Sequence, residues 1–359
     1  MNGTDLTTEN PLAALPRPLL AWYRENARDL PWRRTADPYR VWVSEIMLQQ
    51  TRVAAVLGYY ARFLAAFPTA EDLAAAPEDR LLKLWEGLGY YSRARNLQRS
   101  AQLLVRERGG RFPDTVAELE TLPGVGTYTA CAVASACFAR REAAVDGNVL
   151  RVYARLTDCA DDMAAPAAKK AVRAALQAVM PREAADIRVF NQALMDLGAT
   201  VCVPGGVPRC GACPLAGLCL GRQRGTAAAL PVKAAKGPRR REERTVFVLL
   251  RGGCAALRRR ARTGLLAGLW EFPNVPGTLD ESAAAAQLAA WGLTVREWRR
   301  RRRARHIFTH VEWEMTGYVL EVTGDGPAEF LWADPEVRAG CAVPSAFAAF
   351  LAELDGPAG

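Results

Sequence analysis

The chain has 359 residues, half of them hydrophobic, and a formal net charge of +9; it is longer than one hydrophobic core ordinarily serves, so two domains are expected. No stretch approaches the roughly twenty apolar residues of a membrane-spanning helix, which excludes a helical membrane protein, and the charge points to a polyanionic partner. The excess is concentrated: residues 233–262 hold eleven Lys or Arg against two Glu, and a second basic run, Arg299 to Arg303 with Arg305, follows Trp298.

Up to about residue 225 the apolar residues recur at helical spacing. Asp37 followed by Pro38 opens one helix, and Thr115 with Glu118 forms a capping box for another. Along the first of these helices, spacing places Trp42, Glu45 and Gln49 on one face, so Glu45 is a carboxylate on a largely apolar helix. The capped helix at Thr115 runs into Leu122-Pro123-Gly124-Val125-Gly126 and then into an apolar helix beginning at Thr127. Two glycines around one apolar residue allow a tight hairpin. Its backbone N–H groups would point outward at a helix start, as a DNA phosphate requires; an ordinary helix connection is the plainer alternative. Val145-Asp146-Gly147-Asn148-Val149 is another turn leading into a helix, with Asp146 placed to cap it.

Four of the nine cysteines follow within eighteen residues, as Cys202, Cys210, Cys213 and Cys219, among the turn-formers Pro204, Gly205, Gly206, Pro208 and Pro214. This reads as a ligand set for a [4Fe–4S] cluster. Zinc is the rival metal, although its sites usually pair two short C-x2-C units or add histidines. Disulfides are the bland alternative, and no apolar run after a basic N-terminal region signals an oxidising destination.

Segment 222–244 carries charge, Gly, Ala and Pro without apolar periodicity, and reads as an exposed basic linker. Strands are expected beyond it at 245–250, 254–260, 294–305, 311–322 and 329–332, with helices at 280–291 and 344–354. The fold class expected is therefore multidomain: an all-α domain over 1–221 with the cysteine loop at 202–219, then an α+β domain over 245–359.

Three segments carry a resemblance: Val41 to Thr51 (VWVSEIMLQQT), Leu88 to Asn96 (LGYYSRARN) and Phe190 to Ala199 (FNQALMDLGA). With LPGVG, VDGNV and the four-cysteine loop, in that order over roughly 20–222, the chain resembles the helix–hairpin–helix DNA glycosylase superfamily and, within it, the MutY-type adenine DNA glycosylases. The family usually spaces its cysteines C-x6-C-x2-C-x5-C, whereas the first gap here is seven, a difference Gly205-Gly206 can absorb as a bulge.

The resemblance implies an enzyme that excises adenine mispaired with 8-oxoguanine, or with guanine, from duplex DNA. Burial would keep Glu45 protonated near neutral pH, able to act as a general acid toward the adenine ring. Asp146, at a helix start that favours its charge, would stabilise the oxocarbenium-like sugar or bond to it transiently. In lyase-active relatives such as endonuclease III a lysine follows the hairpin; here Tyr128 stands there, and a phenol forms no Schiff base, so strand cleavage is not expected. Tyr128 would orient Asp146 or the sugar. By the same resemblance Gln49 or Gln50, together with Tyr90, fills the gap left by a flipped base, Gly124, Val125 and Gly126 contact DNA, and Trp32, Arg33, Leu48 and Gln192 line the adenine pocket.

Gly264 to Pro273 (GLLAGLWEFP) looks like the Nudix-related recognition domain of that family. Only Asp280 and Glu281 remain where a hydrolysing Nudix helix needs several carboxylates, so binding is expected in place of magnesium-dependent hydrolysis. His306-Ile307-Phe308-Thr309-His310 contains the chain's two histidines. Phe308, Thr309 and His310 suit an oxidised guanine by stacking and hydrogen bonding, with Thr309 where the family commonly has Ser. A monomer working in the cytoplasm on the nucleoid is expected. Two other readings stay open, a glycosylase with lyase activity and a non-catalytic iron–sulfur DNA-binding protein.

Overall fold

The computed structural model describes residues 10–232 and 237–354. The chain divides into two compact units, Met1–Ala75 with Asn96–Ala235, and Ala76–Arg95 with Lys236–Gly359.

The helices are α1 (Pro16–Asn26), α2 (Pro38–Leu48), α3 (Val53–Ala66), α4 (Ala70–Ala75), α5 (Glu78–Leu84), α6 (Ser92–Arg108), α7 (Val116–Leu119), α8 (Thr127–Phe138), α9 (Gly147–Thr157), α10 (Pro166–Val179), α11 (Ala184–Thr200) and α12 (Leu220–Gln223). Of these, α5 and the first turn of α6 belong to the second unit. Asp37 caps α2 by accepting from the Tyr39 N–H at 2.9 Å, ahead of Pro38. Thr115 caps α7, and Glu118 accepts from the Thr115 hydroxyl at 2.8 Å, so the capping box closes through side chains.

Helix α8 is buried nearly all round, because Ala130, Cys131, Ala132, Val133 and Ala134 are small enough for α2, α7 and α11 to pack around it. Helix α11 crosses α9 at Gly198, where a Cβ would stand 2.6 Å from Asn148 Cβ, so only glycine permits the approach. The core of this unit gathers Leu15, just ahead of α1, with Leu19, Val149, Val152, Leu176, Phe190 and Leu194 from α1, α9, α10 and α11. Among the described residues no helix is long and apolar enough to cross a membrane.

The second unit is built on a seven-stranded mixed sheet of β1 (Arg240–Arg251), β2 (Cys254–Arg259), β3 (Trp270–Glu271), β4 (Asn274–Pro276), β5 (Thr294–Ile307), β6 (Val311–Thr323) and β7 (Phe330–Ala333). The order is β3-β2-β1-β6-β5, with β4 pairing β1 and β7 pairing β2. Strands β1 and β6 run parallel with Thr245 opposite Thr316, and β5 runs antiparallel to β6 with Arg301 opposite Tyr318. Alternation decides the two faces. Val246 and Val248 enter one core with Trp313, Phe347 and Phe350, while Phe247 and Leu249 enter another with Leu288 of α13 (Glu281–Ala290).

The helix expected at 344–354 is a 3-10 turn at Ser345–Phe347 followed by Ala348–Leu351. The expected linker is partly regular: residues 222 and 223 end α12, and 240–244 lengthen β1 because β6 supplies a partner along them. Of that linker, residues 233–236 lie outside the described residues.

Candidate active site

A cavity of about 660 Å³ opens in the first unit where α2, α8, α9 and α11 meet. It brings Trp32, Arg33, Glu45, Leu48, Gln49, Gln50, Tyr128, Asp146 and Gln192 onto one wall system. The sequence places these residues up to 160 positions apart, from 32 to 192.

Glu45 keeps some contact with the cavity, but its Oε2 is buried and has no hydrogen-bond partner. Burial pushes its carboxyl up to about 7, helped by the charge of Asp146 and opposed by Tyr128 and Arg33. A buried carboxyl oxygen with nothing to bind is costly unless it is protonated or meets a ligand. Asp146 caps α9: Oδ1 accepts from the Val149 N–H at 2.8 Å and Oδ2 from Asn148 Nδ2 at 2.7 Å. Asn148 is held in turn by Arg151 at 2.8 Å, whose Nε donates to the Cys202 carbonyl at 2.7 Å.

Tyr128, expected to orient Asp146 or the sugar, lines the cavity with Asp146 and does not bond to it. Its hydroxyl donates to Met195 Sδ at 3.4 Å, and burial, then the charges of Glu45 and Asp146, raise its pKa well above the usual phenol value. Arg33 lines the cavity as expected, with its guanidinium held by a buried partner. Its two terminal nitrogens grip Asp196, at 2.5 Å and 2.7 Å, and that carboxylate is wholly buried and also bound by Arg28. Trp32 is buried edge-on to Tyr60, Gln49 donates to Thr129 Oγ1 at 3.3 Å, and Gln50 takes the left-handed conformation, φ 60°. Gln192 Oε1 accepts from the Tyr23 hydroxyl at 2.9 Å. Sequence reading missed Arg28, Asn148 and Met195, which share the cavity; each lies beside a recognised motif residue, in RDLPW, VDGNV or NQALMD.

In the hairpin, Gly124 has φ 79°, and a Cβ there would come within 2.8 Å of Asn96 Cβ. Gly124 and Gly126 are exposed, while Val125 is buried and its N–H is spent on the Leu122 carbonyl at 3.0 Å. The outward donors are therefore those of the glycines and of the first turn of α8, with Val125 the anchor.

Tyr90 stands in a second cavity, of about 410 Å³, formed within the second unit and shared with Phe308, Thr309 and His310. Its hydroxyl meets Thr309 Oγ1 at 2.7 Å, and it too is left-handed, φ 47°. Phe308 stacks edge-on to Trp313 and His306, at 5.0 Å and 4.5 Å. Burial lowers the pKa of His306.

Cys202, Cys210, Cys213 and Cys219 are free thiols lining one cavity of the first unit, roofed by Arg155, whose Nη1 lies 3.3 Å from Cys202 Sγ. The loop ahead of Cys210 makes an exposed turn with Gly205 and Gly206 at φ 68° and 80°. This shared lining by four thiols fits a cluster in its donor set. Among the described residues no group of three or more His, Cys, Asp or Glu is arranged to hold a metal ion.

Residues 43–182 match the model of the HhH-GPD superfamily base excision DNA repair proteins, and residues 245–353 match that of the NUDIX domain. The human adenine DNA glycosylase is 37% identical over 370 residues, covering 86% of this chain and 67% of that protein. The adenine DNA glycosylase of Mycobacterium tuberculosis is 43% identical over 198 residues, covering 55% of this chain and 64% of that one. Among solved structures, a thermostable thymine-DNA glycosylase superposes with a TM-score of 0.54 at 29% identity, covering 60% of this chain and 97% of its own. Endonuclease III in a non-covalent DNA complex gives 0.50 at 26%, covering 58% and 94%.

Proposed function

Because the chain belongs to the adenine DNA glycosylases, enzymes of base excision repair that act on DNA, we propose that it releases adenine paired with 8-oxoguanine, or with guanine, by hydrolysis alone, leaving an abasic site. The observation that carries the reading is Glu45 Oε2, buried and unpartnered on the wall it shares with Asp146.

Adenine leaves poorly as an anion. Glu45 gives its proton to the flipped base, the glycosidic bond breaks with its electron pair going to neutral adenine, and the sugar is left as an oxocarbenium-like cation. Asp146 faces that cation, held by Val149 and Asn148 so that its charge is already in place. Water then adds to the sugar, and its proton returns to the Glu45 carboxylate. No lysine lines the cavity among the described residues, and Tyr128 offers no amine to attack the sugar. Trp32, Arg33, Leu48 and Gln192 enclose the base, while Gln49 or Gln50 enters the vacated stack.

The cavity of Tyr90, Phe308, Thr309 and His310 would take the oxidised guanine. An aromatic face for stacking stands beside a hydroxyl and an imidazole there. The four cysteines would hold a [4Fe–4S] cluster, which supplies a rigid staple for the 202–219 loop. Arg151 and Asn148 fasten the backbone of that loop to Asp146. We also propose a monomer that acts on nucleoid DNA in the cytoplasm.

Glu45→Gln tests the reading. The variant should bind the mismatched duplex yet release adenine at least about 10²-fold more slowly, as expected for loss of a general acid. In the parent protein the rate should fall as pH rises through about 7, where Glu45 loses its proton. Unchanged release by the variant would remove Glu45 from the mechanism.

A further inference from the structure

Tyr23 lies on α1, outside every motif, and is buried among Leu19, Leu20 and the α11 core. Its hydroxyl reaches across 169 positions to donate to Gln192 Oε1 at 2.9 Å, and Gln192 lines the cavity of Glu45 and Asp146 while Tyr23 does not. The ring is itself fixed. Arg33 sits over it at 5.8 Å, and Arg33 is locked onto buried Asp196.

A glutamine amide is nearly symmetric in shape but not in chemistry. In this structure the Tyr23 hydroxyl donates to Oε1 and so holds the amide in place at its oxygen end. Gln192 then keeps one Oε1 lone pair and its Nε2 hydrogens for the cavity, in known places. Neighbouring Asn191, by contrast, is consumed by Ala144, Ser135 and Glu142. Adenine offers an acceptor, N7, beside a donor, the 6-amino group; an amide reads that edge with two bonds in one orientation and none in the other. A purine with oxygen at position 6 offers two acceptors and gains only one bond in either orientation.

We infer that Tyr23 is a specificity-determining positioning residue, which fixes the amide of Gln192 so that the cavity reads the N7 and 6-amino edge of adenine. The inference rests on the glycosylase reading, and its test separates the two. Single-turnover base release would be compared for duplexes with adenine or hypoxanthine opposite 8-oxoguanine, at enzyme below saturation. The proteins are the parent, Tyr23→Phe, Gln192→Ala and the double variant, each with its melting temperature. Tyr23→Phe removes one oxygen and keeps the ring among its apolar neighbours, so the fold is retained. The preference for adenine should fall about tenfold in Tyr23→Phe, the lower range of one bidentate base contact, and Tyr23→Phe should add nothing once Gln192 is Ala. An unchanged preference in Tyr23→Phe, or an equal loss in the Gln192→Ala background, would overturn the inference. Adenine release by the parent protein, read in the same assay, checks the glycosylase reading separately.

Discussion

Glu45 is placed where burial makes ionisation costly, and that cost is visible in stability as well as in catalysis. Its folded pKa, about 7, lies above the usual 4.5, so folding favours the proton. The contribution is fully present below about 4.5 and is lost as pH rises through about 7. Glu45→Gln carries no ionisation cost, so it should be more stable than the parent at pH 8.5 by on the order of 2 kcal/mol and nearly equal at pH 5. Chemical denaturation at the two pH values checks this; an equal difference at both would mean that burial does not govern the carboxyl. At this scale the sequence showed Glu45 by its spacing on an apolar helix and Asp146 by its capping position. The grip of Asp196 on Arg33, 163 positions away, and the Tyr23–Gln192 bond leave no local signal, because each is a side-chain meeting made by packing.

Among the elements, the loop joining β5 to β6 carries the proposed recognition of 8-oxoguanine. Phe308 is braced by Trp313 of β6, its N–H donates to the Val311 carbonyl at 2.8 Å, and Thr309 and His310 remain exposed at the tip. Replacing Phe308 and His310 together with Ala should reduce the preference for 8-oxoguanine over guanine opposite adenine by about tenfold or more, on the scale of a lost stacking contact. Adenine release at saturating enzyme should change far less. Equal loss on both duplexes, measured in single turnover, would take the loop out of lesion recognition. Strands β1 and β6 were legible from their apolar runs, and α2, α7 and α9 from their caps. Strands β3 and β4 were not, since two or three residues carry no period, and the start of β1 was hidden because pairing with β6, not composition, makes it extended.

For the whole molecule, the change of character near residue 225 separates a helical unit from a sheet unit, as composition foretold. The exception is 76–95, which belongs to the second unit though helical in pattern. Lys83 Nζ donates to the Cys341 carbonyl at 3.1 Å, Glu86 accepts from the Val343 N–H at 2.7 Å, and Arg95 donates to the Ala267 carbonyl at 2.6 Å. These bonds keep Tyr90 beside Thr309, and no sequence period records them. The central claim is that a chain with Glu45, Asp146 and Tyr128 in one cavity hydrolyses the glycosidic bond and stops there. Its most direct measurement is single-turnover incubation with an end-labelled duplex bearing one adenine opposite 8-oxoguanine, each sample divided between alkali and no alkali. The account predicts strand breaks only after alkali, the mark of an abasic site left intact. Breaks without alkali would establish a lyase and contradict the reading of Tyr128, and no breaks in either half, with the duplex bound, would contradict catalysis by Glu45 and Asp146.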